Sequence, residues 1–218
     1  MNAEDERRCR LRAKWLDLLV RLGASEDGAL RLFGRVADAY SVPVRHHHDL
    51  RHAEKVLEAL RSYPGPVAAP DALAATAWFH DIVHDPAAKD NEERSAEMAA
   101  GALRALGVTE DTVLAVHDLV IATKPDPVHE PTGDAAVLVD ADIPILGADD
   151  ERYDNYVQAI RSEYAIFTPD VYRAGRGDFL RALLKRPRLF RTSWFREKFE
   201  ARARANIAGE IERLISAG

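Results

Sequence analysis

The chain has 218 residues, 47% hydrophobic and 30% charged, which is too apolar for a disordered segment and long enough for one domain with its own core. Its formal charge of −6 lacks the electrostatic footprint of a general nucleic-acid binder, so long nucleic acid is excluded as an expected partner. Cys9 is the only cysteine, which rules out an internal disulfide or thiolate zinc site and leaves nitrogen and oxygen donors for any metal.

The N-terminal stretch MNAEDERRCRLRAKW has no apolar centre of the kind a signal peptide needs, and no run reaches the roughly 20 apolar residues of a membrane span. The expectation is a soluble, cytoplasmic protein. Apolar residues recur at helical spacing nearly throughout and strand-like alternation is almost absent, which predicts an all-α fold.

In chain order, a first helix carries Leu11, Trp15, Leu18, Leu19 and Leu22 on one stripe and stops at Gly23. Ser25 caps a second, through Leu32, Phe33, Val36 and Tyr40. A third, about 46–62, buries Leu50, Ala53, Val56, Leu57 and Leu60 and ends at Pro64-Gly65-Pro66. A fourth is predicted over about 71–84. Its ALAATAWFHDIVH is apolar nearly all round, the pattern of a helix in the middle of a bundle.

A fifth helix covers about 91–106 and a sixth runs from a Thr109 cap to Lys124, where Pro125, Pro127 and Pro131 impose a loop. Residues 134–146 read as a short apolar helix holding Asp140 and Asp142. Residues 150–166 form another, with Tyr153, Tyr156, Val157, Ile160 and Tyr164 on one face. Thr168-Pro169 opens a helix through Phe179, Leu180, Leu183 and Leu184, and after Pro187 a long amphipathic helix starts at Ser193.

Polar groups inside the apolar segments carry the chemistry. An adjacent imidazole and carboxylate, His80-Asp81, are costly in an apolar helix unless paired, and a divalent cation is an economical partner. His84-Asp85 repeats the pair one turn on, so His84 reads equally as a second-metal ligand or a hydrogen-bonded neighbour. His48 and His52 share a helical face, while His46 and His47 read as solvated. Asp140 and Asp142, two apart, diverge on a helix, so one of them at most joins the same centre, and the Ala-Asp-Ile context favours Asp142.

Together, His52, then His80-Asp81, then Asp142 resemble the H…HD…D ligand pattern of the HD superfamily, whose members are all-α and mostly hydrolyse phosphate esters. AWFHDIVHDPAAKDNEERSAE, ATKPDPVHE, DADIPILGA, YVQAIRSEYA and ARANIAGEIE extend the likeness over about residues 40–210, toward a bacterial subgroup of predicted metal-dependent phosphohydrolases. The segments around His48–Ala53 and His80–Pro86 are also similar to the cyclic-nucleotide phosphodiesterases, where the first histidine of the H-x-x-x-H pair donates a proton and the second binds metal. That likeness casts His48 as acid and His52 as ligand. No counterpart of those enzymes' purine clamp is present.

The resemblance implies a single HD-type helical domain over 1–218, its metal core at about 46–146 and its bundle completed by residues 150–218. It implies a phosphohydrolase acting on a small phosphorylated metabolite or nucleotide, with His52, His80, Asp81 and Asp142 on the metal. His48, Asp81, His84 and Glu93 are its catalytic candidates. Lys124, Arg161 and Arg176, with Arg188, are candidates for the phosphate, because ammonium and guanidinium groups match its oxygens. The mixed donor set favours Mn, Fe, Co, Ni or Zn over Mg. Two other readings are a di-iron oxygenase, which would recruit His84 and His117, and a non-catalytic ligand-binding module. His129 would lie in a loop over the site. A homo-oligomer is compatible with the sequence.

Overall fold

The structure is a computed structural model that describes residues 3–124 and 130–216. Among the described residues, helices α1 (Ala3–Arg21), α2 (Glu26–Tyr40), α3 (Leu50–Ser62), α4 (Pro70–Phe79) and α5 (Asn91–Ala105) are followed by α6 (Glu110–Ala122) and α7 (Gly133–Asp142). A 3-10 turn over Pro144–Gly147 leads into α8 (Asp150–Glu163), α9 (Pro169–Lys185) and α10 (Ser193–Ser216). Among the described residues 74% are helical and strands are absent, and these residues form one compact domain. None of these helices is long and apolar enough to cross a membrane.

The all-round apolarity of α4 is explained by its neighbours, since α1, α3, α5, α6 and α7 all pack on it. Trp78 and Phe79 from α4 interlock with Trp15 and Phe33, Trp15 meeting Trp78 edge-on at 5.3 Å and donating its indole N–H to Ala29 O at 2.8 Å. Gly23 ends α1 at φ +94°, a backbone angle that disfavours any side chain. At Gly147 the reason is space. A Cβ there would come within 2.7 Å of the Phe199 carbonyl oxygen, so glycine lets the 3-10 turn lie against α10.

Two expected helices are shorter in the structure, and both changes shape the site. α4 stops at Phe79, so residues 80–84 form a turn rather than a further helical turn. The reason is tertiary: the buried Arg45 guanidinium takes Asp81 O at 2.7 Å and Ile82 O at 2.8 Å, and Ser95 Oγ pairs with Val83 N at 3.1 Å. These partners replace the helical ladder. α3 begins at Leu50 rather than near 46, because Asp49 caps it by accepting from Arg51 N and His52 N. The segment expected at 134–146 is likewise split, α7 ending at Asp142 before the Pro144 turn, and α8 ends at Glu163 rather than 166.

Arg45 therefore anchors the His80–His84 turn through two carbonyls and a third at His48 O, 3.1 Å away. Replacing it with methionine keeps the aliphatic volume and strands those acceptors. Arg45→Met should lower the unfolding free energy by about 2–4 kcal/mol, read by urea denaturation. An unchanged midpoint would show that water serves those carbonyls as well.

Candidate metal centre

Four side chains from three elements converge. His52 reaches in from the first turn of α3, His80 and Asp81 from the end of α4, and Asp142 from the end of α7. One donor atom from each lies within 4.8 Å of the others. His52 Nε2 is 2.9 Å from Asp142 Oδ1 and 3.3 Å from Asp81 Oδ2, while His80 Nε2 is 3.1 Å from Asp81 Oδ2 and 3.5 Å from Asp142 Oδ1. The two Nε2 atoms are 3.1 Å apart. His52 and His80 are buried, whereas the carboxylates remain about a quarter exposed, at 24% and 26% for their side chains, so the centre opens on the carboxylate side.

His80 Nδ1 lies 3.2 Å from Ala77 O, an arrangement in which Nδ1–H donates and Nε2 is left free to bind a cation. The electrostatics agree with that reading. Burial works against charge on His52, yet hydrogen bonds with Asp142 and Asp81 outweigh it and raise the imidazole to about 9. His80 is likewise raised, well above the histidine range, as the Asp81 charge and its hydrogen bonds with both carboxylates overcome burial. Asp81 is held below the carboxylate range by His80, His48 and His52, and Asp142 by His52 and His80, again against burial. Without a cation, protons hold this cluster together; a divalent ion can replace them.

Asp140 turns away from the cluster. Fully buried, it accepts from Arg191 N at 2.8 Å and Thr192 N at 2.7 Å, tying the segment before α10 to α7. Asp142 is thus the carboxylate of that pair which faces the histidines.

Beside the first group lies a second. Glu163, buried at the end of α8, accepts through Oε1 from the backbone N–H groups of His46, His47 and His48 at 2.8, 2.7 and 2.9 Å, and through Oε2 from His48 Nδ1 at 2.6 Å. His84 Nε2 is 3.5 Å from the same Oε2, and its ring stacks on His48 at 4.1 Å. His48, His84 and Glu163 also form a set of side chains able to hold a cation. Burial opposes ionisation of Glu163, but the hydrogen bond from His48 and the nearness of His84 keep it below the usual carboxylate range. The two groups adjoin through His48 and His52, whose ring centroids are 5.7 Å apart.

Glu163 was missed in the sequence reading. Its signal was a charge continuing the Tyr153, Tyr156, Ile160 stripe of α8 at helical spacing. His47, expected in solvent, packs on Tyr156 at 4.8 Å and His52 at 5.0 Å, and burial followed by repulsion from His52 and His48 lowers it well below the usual range. His46 is exposed, as expected.

The remaining candidates join neither group of metal-capable side chains. Glu93 belongs to neither group of metal-capable side chains and is ion-paired with Lys124, which also donates to Lys89 O at 3.1 Å. Arg161 is committed to Tyr164 O and Phe167 O, and Arg176 to Glu210 at 2.8 and 3.1 Å, a buried carboxylate the sequence reading did not consider. Arg188 pairs with Glu130 at 3.1 Å. His117, half-exposed on α6, bonds its neighbour Asp118 at 3.0 Å and joins neither group. His129 lies outside the described residues.

Compared with known proteins, the chain matches no family model, no curated protein and no solved structure.

The raised histidines carry a testable sign. A group whose folded pKa exceeds its unfolded one lends stability that is complete below the unfolded value, 6.5, and is lost as pH rises through the folded value, about 9 for His52. Chelator-treated protein should therefore lose about 2–3 kcal/mol of unfolding free energy between pH 6.5 and 9.5, and saturating Co(II) should flatten that slope. A flat profile without metal would contradict the protonated cluster.

Proposed function

We propose that the chain is a metal-dependent phosphohydrolase of the HD type, acting on a small phosphorylated molecule. The observation that carries this reading is the convergence of His52, His80, Asp81 and Asp142 on one point, two imidazole nitrogens and two carboxylates open on one side. Nothing in the backbone requires such a group, and the donor set suits a borderline divalent cation such as Mn, Fe, Co, Ni or Zn. A cation held there supplies Lewis acidity and a water of lowered pKa, toward ~7, for attack on phosphorus.

The cavity on the Asp142 side supports an anionic substrate. It measures about 370 Å³ and is lined by Lys124, Arg186 and Arg191 together with Asp142 and Glu130. Burial first, and repulsion from Arg186 second, lower the Arg191 pKa, against the opposing pull of Asp140 and Glu130. A phosphate dianion relieves that repulsion. Arg186 and Arg191 thereby replace Arg161 and Arg176 as the phosphate-holding candidates, because the latter two are already satisfied.

His48 is the proton donor in this reading. Glu163 holds its Nδ1 at 2.6 Å, fixing the ring so that Nε2 is left to serve a leaving oxygen. The second group, His48–His84–Glu163, also favours one rival, a two-iron oxygenase, in which it would hold the second ion.

Anaerobic phosphate release from a panel of phosphate monoesters by metal-reconstituted protein separates the two. The phosphohydrolase releases phosphate without oxygen; oxygen uptake with two irons per chain and no phosphate release would establish the rival. Asp142→Ala should lose the metal and at least ~10²-fold in turnover. Arg191→Ala should raise KM about 10-fold with the metal retained, the loss expected for a charged hydrogen bond. An unchanged KM would remove Arg191 from the phosphate site. His48→Gln should keep the metal and lose ~10²–10⁴-fold with alkyl esters, and much less with nitrophenyl phosphate, whose leaving group needs no proton.

A further inference from the structure

His48 faces a second cavity, unlike the cationic one. About 440 Å³ in volume, it lies between α8 and α9 and is walled by Tyr156, Tyr164, Phe167, Tyr172 and Phe179, with Ile160 and Val171 between them. That volume lies within the range of small-molecule sites. Its one lining guanidinium, Arg176, is neutralised by the buried Glu210 at 2.8 Å and lies over the Tyr156 and Phe179 rings at 5.3 and 5.5 Å. Arg161, just behind, stacks on Tyr172 at 4.7 Å and spends its N–H groups on two carbonyls. Aromatic side chains thus make up much of the wall, and its one guanidinium is already paired.

Gly175 points the same way. It lies in the interior of α9, where glycine is a poor helix former, yet its backbone is helical and a Cβ there would meet no atom within 4 Å. Neither a turn nor close packing requires glycine at this position. It does line the cavity, and the space beside its Cα is open.

We propose that this cavity binds the organic part of the substrate, an uncharged planar aromatic ring of nucleobase size, beside His48. Flat rings stack favourably on tyrosine and phenylalanine faces, a saturated ring of similar size gains less, and a charged one finds no counter-ion here. Calling the ring part of a substrate rests on the phosphohydrolase reading. Ring binding itself does not.

The test is calorimetric titration of the full chain after chelator treatment, so that the outcome is independent of metal and turnover. Adenosine should bind with Kd of about 100 μM, and cyclohexanol, the saturated control, at least 10-fold more weakly. Gly175→Leu should fill the space and weaken adenosine at least 10-fold, with Tm equal to or above that of the unmodified chain, since leucine is the better helix former. No adenosine binding, equal binding of cyclohexanol, or unaltered binding in a folded Gly175→Leu would each overturn the proposal. Ring binding without phosphatase activity would contradict the hydrolase reading and leave the ring site standing. Activity on simple alkyl phosphates without ring binding would do the reverse.

Discussion

Two imidazole nitrogens held 3.1 Å apart in a buried setting are the constraint on which the rest of the molecule turns. Each can carry a proton or face a cation, but both cannot be neutral acceptors aimed at one another without cost. Asp81 and Asp142 bring the compensating charge, and they come from the ends of two helices that only the folded bundle brings together. α4, which delivers His80 and Asp81, is apolar nearly all round, and these polar groups lie just past its last residue, Phe79.

Holding that turn open takes a second layer of charged residues, and the same device recurs around the molecule. Arg45 fixes the carbonyls of residues 81 and 82, and Glu163 gathers three consecutive N–H groups at 46–48. Asp140 does the same for residues 191–192, Glu200 for 189–190 and Asp134 for 68–69. In each case a charged side chain satisfies backbone groups of a stretch that has left its helix. Buried charge in this fold thus does two different jobs. Among the described residues, only the groups at His52–His80–Asp81–Asp142 and His48–His84–Glu163 gather enough donor atoms to hold a cation.

What the sequence disclosed follows from this division. Helical periodicity, the Gly23 and Ser25 signals and the uniform apolarity of ALAATAWF were local, so the all-helical class and the central place of α4 could be read directly. The end of α4 could not: no glycine or proline intervenes before Pro86, and its terminators are Arg45 and Ser95, distant in sequence. Asp140 and Asp142 look alike in the chain and differ only in what lies opposite, the backbone at 191–192 for one and His52 for the other. Arg161 and Arg176 read as phosphate candidates for the same reason, since Glu210 and the Tyr164 and Phe167 carbonyls beyond α8 become their partners only on folding. Glu163 shows the converse, a charge on an apolar stripe that was visible in the sequence and whose meaning depended on residues more than a hundred positions earlier.

The central claim is that protons and a divalent cation compete for one buried cluster. Calorimetric titration of chelator-treated protein with Co(II) at pH 7, repeated in buffers of different ionisation enthalpy, counts the protons released. With His52 raised to about 9 and His80 also raised, one ion should bind and release about two protons. Binding with no proton release, or no saturable binding, would contradict the account.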